Sequence, residues 1–195
     1  MTRIHSLIPV VLMAGLLGGC GSSPTARFYT LSPDATLTGD GAAMPVSVVV
    51  NPVTVPDLVD RPQIVTRVAG NQVSLDEFAR WAEPLKSDIA RVIAADVGRL
   101  LGSPRVNVFD AGAAAAPAWR VRVDVMRFDA ISGDSVTVEA QWAVRPPGKA
   151  AAVMGRSVTR EPVQGNGYEA LIGAYDRAIA TVSRDIASAI RTNAP

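Results

Sequence analysis

The chain has one cysteine, Cys20, and its surroundings predict a specific chemistry for that thiol. It follows an apolar run, and the residues directly before it are Leu17, Gly18 and Gly19. This pattern resembles a bacterial lipobox, in which a peptidase cuts before the cysteine and the cysteine becomes the lipid-modified N-terminus. The sequence therefore predicts cleavage before Cys20 and acylation of Cys20. Labelled palmitate should then be incorporated into the processed protein.

Residues 1–19 are typical of a lipoprotein signal peptide. Arg3 supplies the positive charge, and Leu7–Leu17 supply an apolar run far shorter than the ~20 residues that span a bilayer. Gly21 follows the cysteine, where an Asp would favour retention at the inner membrane. We therefore expect an acyl-anchored protein on the periplasmic face of an outer membrane.

Composition argues against several functions. The sequence contains 19 basic residues, 18 acidic residues and one histidine. Because residues 1–19 include Arg3 and His5, the processed chain would have 18 residues of each sign and no histidine. A balanced charge disfavours nucleic-acid binding, which depends on neutralising phosphates. The missing histidine and the acylated cysteine remove the usual catalytic and zinc-binding groups, so we expect no enzyme, no metal and no cofactor besides the covalent lipid.

Polar side chains are unusually dense at 60–67 and at 80–83. The first stretch predicts a strand whose charges either face solvent at a sheet edge or contact a partner. Trp81, in the second stretch, is expected to pack in the core or at its margin, or else to contact the partner. The residues predicted to form a partner-binding surface are Asp60, Arg61, Gln63, Arg67, Arg80, Trp81 and Glu83.

The chain outside the signal peptide divides into a tether and a folded body. Residues 20–45 are rich in Gly, Ser, Pro, Thr and Ala and form the predicted lipid-anchored tether, within which 27–31 can dock as an edge strand. Residues 46–195 have the length of a single domain. The apolar patterns in this body predict strands near 46–50, 64–69, 73–75, 105–109, 119–125, 136–144 and 151–160.

Two long helices are predicted, one from Leu85 to about residue 100 and one over 168–191, each with an apolar stripe. Ser74 and Glu77 have the spacing of a capping box and predict an additional helix start. Strands alternating between apolar and polar residues, followed by amphipathic helices, indicate an α+β fold. We expect a mainly antiparallel sheet with the two long helices packed on one face.

The whole chain resembles the PqiC family, the ABC-type transport auxiliary lipoproteins. The resemblance rests on the lipobox, on Phe28-Tyr29-Thr30-Leu31, and above all on the 60–67 stretch and Trp81-Ala82-Glu83-Pro84-Leu85. Segments 125–129, 140–142, 167–171 and 184–187 agree with it.

The resemblance implies a non-enzymatic outer-membrane lipoprotein of an intermembrane phospholipid transport system, acting in envelope integrity. Its expected partner is a periplasm-spanning MCE-domain protein, similar to PqiB, which it would dock at the outer membrane, and a homo-oligomeric ring is a further expectation. The alternative is a periplasmic lipid carrier that holds an acyl chain between sheet and helices, which requires an apolar cavity of a few hundred Å³.

Overall fold

The computed structural model describes residues 24–39, 41–109, 117–148 and 151–194. Cys20 and the lipobox lie outside the described residues, so their modification stays a prediction. The described part of the chain contains ten elements: β1 Arg27–Tyr29, β2 Ser47–Thr54, β3 Gln63–Ala69, β4 Gln72–Trp81, α1 Leu85–Leu101, β5 Val106–Asn107, β6 Ala118–Ile131, β7 Ser135–Arg145, β8 Val153–Pro162 and α2 Gly167–Asn193.

The eight described strands form one sheet, and both helices pack on the same face of it. The strand order is β1-β4-β3-β6-β2-β5, and β7 and β8 extend the sheet from β6. α1 packs against β2 and β5, α2 packs against β7 and β8, and the helices contact each other. Alternate residues of β6 are buried, from Trp119 to Val125, because this strand has one face toward the helices and one toward solvent. The predicted α+β class is confirmed.

The strand directions correct the prediction of a mainly antiparallel sheet. Among the described strands, four of the seven pairings are parallel: β1 with β4, β2 with β5, β2 with β6 and β3 with β6. The antiparallel pairings are β3–β4, β6–β7 and β7–β8, each joining neighbours in the sequence. Alternating apolar residues report that a strand is half buried, and they carry no information about the direction of a distant partner.

The predicted helix start at Ser74 and Glu77 is wrong. Both residues lie in β4, which pairs with β3 along most of its length and with β1 at its C-terminal end. These backbone hydrogen bonds on two sides outweigh a capping-box spacing, which is a local preference of modest energy. The helix begins instead at Leu85, directly after Pro84 at its N-cap.

The two long helices occur where their apolar stripes predict them. α1 ends at Gly102, whose φ of 62° lies in the left-handed region that glycine adopts without strain. The amide of Ser103 donates to the carbonyl of Gly98 at 2.9 Å and closes the helix end. α2 buries a continuous apolar stripe that consists of Leu171, Ile172, Tyr175, Ile179, Val182, Ile186 and Ile190.

Trp142 joins β7, β8 and α2. Its ring covers Gly155 on β8 so closely that a Cβ at that glycine would lie 2.1 Å from the ring. Its Nε1 donates to the hydroxyl of Ser157 at 3.0 Å, and that hydroxyl donates to a carboxylate oxygen of Asp185 at 2.5 Å. This pairing of a glycine with a large aromatic side chain brings the edge strand β8 against α2. Trp142 and Trp119 both belong to the buried core.

Residues 30–38, here called the strap, continue from β1 across the two helices. Leu31 is 1% exposed and belongs to the core. Three carboxylates of α1 and α2 accept backbone amide hydrogen bonds from the strap, in the pairs Leu31 to Asp88 at 2.8 Å, Ser32 to Asp176 at 2.9 Å and Asp34 to Asp96 at 3.1 Å. Burial raises the pKa of Asp96 and of Asp176 to about 6. The strap therefore attaches the N-terminal segment firmly to the helical layer.

Candidate partner-binding site

Two chain turns meet beside the start of α1 and enclose a surface cleft of about 430 Å³. One turn, at 60–62, leads into β3, and the other, at 81–86, connects β4 to α1. The amide of Trp81 donates to the carbonyl of Pro62 at 2.7 Å, which joins the turns. The amide of Ala82 donates to the carbonyl of Tyr29 at 2.8 Å, which ties the second turn to β1. The cleft is therefore held by backbone contacts at the ends of three strands.

Trp81 forms the inner wall of this cleft and is mostly buried. Its ring lies 6.3 Å from the Phe128 ring and 6.4 Å from the Tyr175 ring, in edge-to-face arrangements. Phe128 and Tyr175 stack on each other at 3.9 Å. Trp81 is therefore primarily a core residue with one edge available at the cleft, and it gives the cleft a rigid apolar floor together with Pro62, Pro84 and Leu85.

The charged residues that line the cleft are two of each sign, Asp60 and Glu83 against Arg61 and Lys86. Lys86 pairs with Asp60 at 3.1 Å, and Glu83 pairs with Arg91 at 3.3 Å. These pairs are exposed, and exposed ion pairs contribute less than about 1 kcal/mol, so a partner can rearrange them at little cost. Arg61 is exposed and forms no ion pair within the part of the chain that the structure describes. It is the rim cation that is most available to an incoming group.

Gln63 and Arg80 lie beside the cleft rather than in it. They are directly opposite each other across β3 and β4. The carboxylate of Glu77 accepts hydrogen bonds from Gln63 at 3.1 Å and from Arg80 at 3.2 Å. These bonds, the Gln63 bond foremost, lower the pKa of Glu77. The Nε of Arg80 is buried without a hydrogen-bond partner among the described residues, which leaves one strong donor of the guanidinium unsatisfied.

Arg67 lies at a different place on the sheet. Its guanidinium contacts the carboxylate of Asp129 on β6 at 3.2 Å and the carbonyl of Gly70 at 3.0 Å. It thus supports the β3–β4 hairpin where β3 meets the end of β6. Of the seven predicted partner-binding residues, the structure brings four into the cleft: Asp60, Arg61, Trp81 and Glu83.

Several cleft residues were not predicted as partner contacts. Pro62, Pro84, Leu85 and Lys86 line the cleft, and each lies within three residues of one that was predicted. Proximity to the two polar stretches could therefore have found them. The ion pair between Lys86 and Asp60 joins residues 26 positions apart, and no sequence pattern indicates it.

An apolar floor with a charged rim is suited to binding a protein segment. Within residues 24–39, 41–109, 117–148 and 151–194, no group of three or more His, Cys, Asp or Glu side chains could hold a metal ion. No helix in the same residues is both long and apolar enough to cross a membrane.

The comparison with known families defines the class of the protein. A family model described as "ABC-type transport auxiliary lipoprotein component" matches residues 29–187, from the end of β1 into α2, and includes the whole cleft. The molecule is thus an auxiliary lipoprotein of a transport system, which implies a membrane-anchored place in the cell envelope and partnership with transport components. The chain belongs to the ABC-type transport auxiliary lipoprotein family, the family that its sequence resembles.

Solved structures support the fold. One, described as an uncharacterized protein, has a TM-score of 0.70 and 20% sequence identity, over 86% of this chain and 99% of that chain. Protein XCC0632 from Xanthomonas campestris has a TM-score of 0.60 and 15% identity, over 82% of this chain and 91% of that chain. At these identities the likeness concerns the fold alone. A comparison with curated proteins found no match.

Proposed function

We propose that this protein is a non-enzymatic outer-membrane lipoprotein that docks a periplasm-spanning MCE-domain protein, similar to PqiB, at the outer membrane. In this role it serves an intermembrane phospholipid transport system and envelope integrity. The observation that carries the proposal is the cleft between 60–62 and 81–86, because it unites the two sequence blocks that are most specific to the family resemblance. The family supports the coarser role of a transport auxiliary lipoprotein.

The proposed anchor places this cleft close to a membrane. Residues 20–26 would connect acylated Cys20 to β1, and seven extended residues span at most about 25 Å. Three acyl chains, each worth ~0.8 kcal/mol per buried methylene, would make the attachment effectively permanent. Gly21 after the cysteine supports the outer membrane as the destination. The domain would then work as a fixed receptor on the periplasmic face.

The cleft supports docking of a protein for three reasons. Its floor is apolar and its inner wall, Trp81, is rigid, as in the central contacts of protein interfaces. The ion pairs at its rim are exposed, so a partner can rearrange them with a small loss of free energy. Arg61 presents a guanidinium that can form a two-point hydrogen bond with a partner's carboxylate.

The test is binding of the purified protein to a PqiB-like MCE-domain protein from the same organism, measured by biolayer interferometry. Arg61→Glu places a negative charge at the cleft rim and should weaken binding at least about tenfold, mainly through slower association that depends on salt concentration. Arg145→Glu is the matched control, because Arg145 is exposed on β7 and, within the described residues, forms no ion pair that it could lose. Arg67→Glu tests whether Arg67, a predicted partner-binding residue that lies outside the cleft, contributes to binding.

The outcomes separate the two parts of the proposal. Absence of binding by the unmutated protein would contradict docking itself. Equal binding by Arg61→Glu and the unmutated protein would contradict only the choice of the cleft. For the anchor, the purified protein should incorporate labelled palmitate, and Cys20→Ala should not; an unlabelled, freely dissolved protein would contradict the membrane role.

The alternative function, a lipid carrier, gains no support from the packing between sheet and helices. The void there is about 10 Å³, and it is lined by Ile89, Ile93, Val123, Val125, Phe128, Val138, Ala140, Ile179 and Val182. An acyl chain needs a cavity of several hundred Å³. Native mass spectrometry gives an independent test, since a phospholipid that co-purifies with the delipidated domain would favour the carrier.

A further inference from the structure

We propose that the β1 edge of the sheet is a membrane-contacting surface, in which Phe28 and Phe78 enter the headgroup region of the phospholipid leaflet that holds the anchor. The inference rests on the proposed function in one point, the acyl chain at Cys20. It adds an orientation: the domain would lie against the membrane on a defined side rather than move freely on its tether.

The two phenylalanines are exposed neighbours on one face of the sheet. Phe28 is 63% exposed and Phe78 is 42% exposed. β1 pairs in parallel with β4, which places Phe28 directly opposite Arg80. Phe78 precedes Arg80 by two residues on β4 and Ala79 between them is buried, so Phe78 lies on the same face as Arg80 and Phe28. Adjacent exposed aromatic residues mark an interaction surface more strongly than scattered ones.

The side chain opposite Phe28 is cationic. Arg80 lies between the two phenylalanines in the register, and among the described residues it forms an ion pair with exposed Glu77 at 3.2 Å. Arg27 is opposite Ala79, whose side chain is buried, so Arg27 lies on the other face of β1 from Phe28. A guanidinium group beside exposed aromatic rings suits a phospholipid surface, because the rings can enter the apolar boundary while the cation meets the phosphates.

The position of the anchor selects a phospholipid surface as the occupant. Phe28 follows Cys20 by eight residues, so even a fully extended tether keeps it within about 28 Å of the acylated residue. So short a tether gives the phenylalanine patch a high effective concentration at the leaflet. Contacts that are too weak to form in solution are then populated. Among the exposed phenylalanines of the described residues, which are Phe28, Phe78 and Phe109, Phe28 is the nearest to Cys20 in the sequence.

The arrangement also relates the membrane to the cleft. β1 runs from Arg27 toward Tyr29, and the carbonyl of Tyr29 holds Ala82 in the wall of the cleft. Tyr29 is directly opposite Trp81. A leaflet that contacts Phe28 would therefore fix the distance and direction of the docking cleft relative to the membrane surface.

The test uses the full-length acylated protein in vesicles of phosphatidylethanolamine and phosphatidylglycerol with brominated acyl chains, which quench nearby tryptophan fluorescence. Phe28→Trp and Phe78→Trp should each lose most of the added emission relative to unbrominated vesicles. Val158→Trp is the matched control, because Val158 is 59% exposed but lies on β8, at the other end of the sheet, and its emission should stay unchanged.

Flotation of the same samples reports whether the protein is attached to the vesicles. If it floats and Phe28→Trp is not quenched, or Val158→Trp is quenched equally, the oriented contact is wrong while the anchor stands. If the protein does not float, the anchor and this inference both fail. Circular dichroism confirms that each variant is folded, and binding of the MCE-domain protein remains a separate measurement of docking.

Discussion

The buried carboxylates that hold the strap should make this protein more stable at mildly acidic pH than at neutral pH. Asp96 is fully buried, accepts the amide of Asp34 at 3.1 Å and the hydroxyl of Ser183 at 3.2 Å, and burial raises its pKa to about 6. Its ordinary pKa is 3.8. The folded protein therefore binds a proton at a higher pH than the unfolded chain, and lowering the pH favours the folded state.

The size of the effect follows from these two pKa values. At pH 7 the carboxyl is ionised in both states and adds nothing, whereas at pH 5 it is mostly protonated in the folded protein and ionised in the unfolded chain. Linkage then gives Asp96 a stabilising contribution of about 1 kcal/mol on going from pH 7 to pH 5. Burial also raises the pKa of Asp176 to about 6, so protonation of Asp176 adds to the stabilisation at pH 5.

The substitution Asp96→Asn isolates this contribution. The amide oxygen can still accept the Asp34 amide and the amide nitrogen can donate to Ser183, but the side chain no longer titrates. The free energy of unfolding in urea should therefore rise by about 1 kcal/mol less between pH 7 and pH 5 in the variant than in the unmutated protein.

Asp124→Asn is the control for this experiment. Hydrogen bonding from Arg122 lowers the pKa of half-buried Asp124, so this carboxylate stays ionised in both states over the same pH range. Its substitution should leave the pH dependence unchanged. The reasoning is refuted if the unmutated protein loses stability from pH 7 to pH 5, or if Asp96→Asn keeps the full gain.

Three further predictions concern packing, each measured as the change in the free energy of urea unfolding. Gly155→Ala should cost about 1–3 kcal/mol, because its methyl group would overlap the Trp142 ring; an unchanged midpoint would contradict the close contact. Leu31→Ala should cost about 2–5 kcal/mol because Leu31 is a core residue, and a negligible cost would mean that the strap is detached in solution. Ser157→Ala should cost about 1–3 kcal/mol by leaving Trp142 Nε1 unpaired, and full stability would contradict that hydrogen bond.

Local patterns were sufficient for the helices and for most strands. The stripe from Leu85 to Leu100 follows the 3.6-residue period, and α1 spans Leu85–Leu101. The strands predicted at 64–69 and 73–75 occur as β3 and β4, which pair as a hairpin. Such signals succeed because the contacts that they report join residues a few positions apart. The capping-box spacing at Ser74 fails because Ser74 pairs with Thr66 in the β3–β4 hairpin, and β4 is held further by β1, which is distant in the sequence.

The candidate site was predictable in part. Two polar blocks, around Asp60 and around Trp81, were singled out from the sequence, and the structure brings them to one cleft through the bond between Trp81 and Pro62. The position of Arg67 beside Asp129 could not be foreseen, because it depends on β3 meeting the end of β6. The sequence also contained no signal that Asp96 would accept an amide of the strap.

The sequence by itself determined the amphipathic helices, the hairpins, the family and the predicted acyl anchor, since each depends on residue types within a short stretch of chain. The tertiary structure alone decided the parallel pairings of β1, β2 and β3, the three carboxylates under the strap, and the cleft with its neighbouring phenylalanine patch. These features depend on which distant segments bury their apolar faces together, and burial is a property of the whole packed chain.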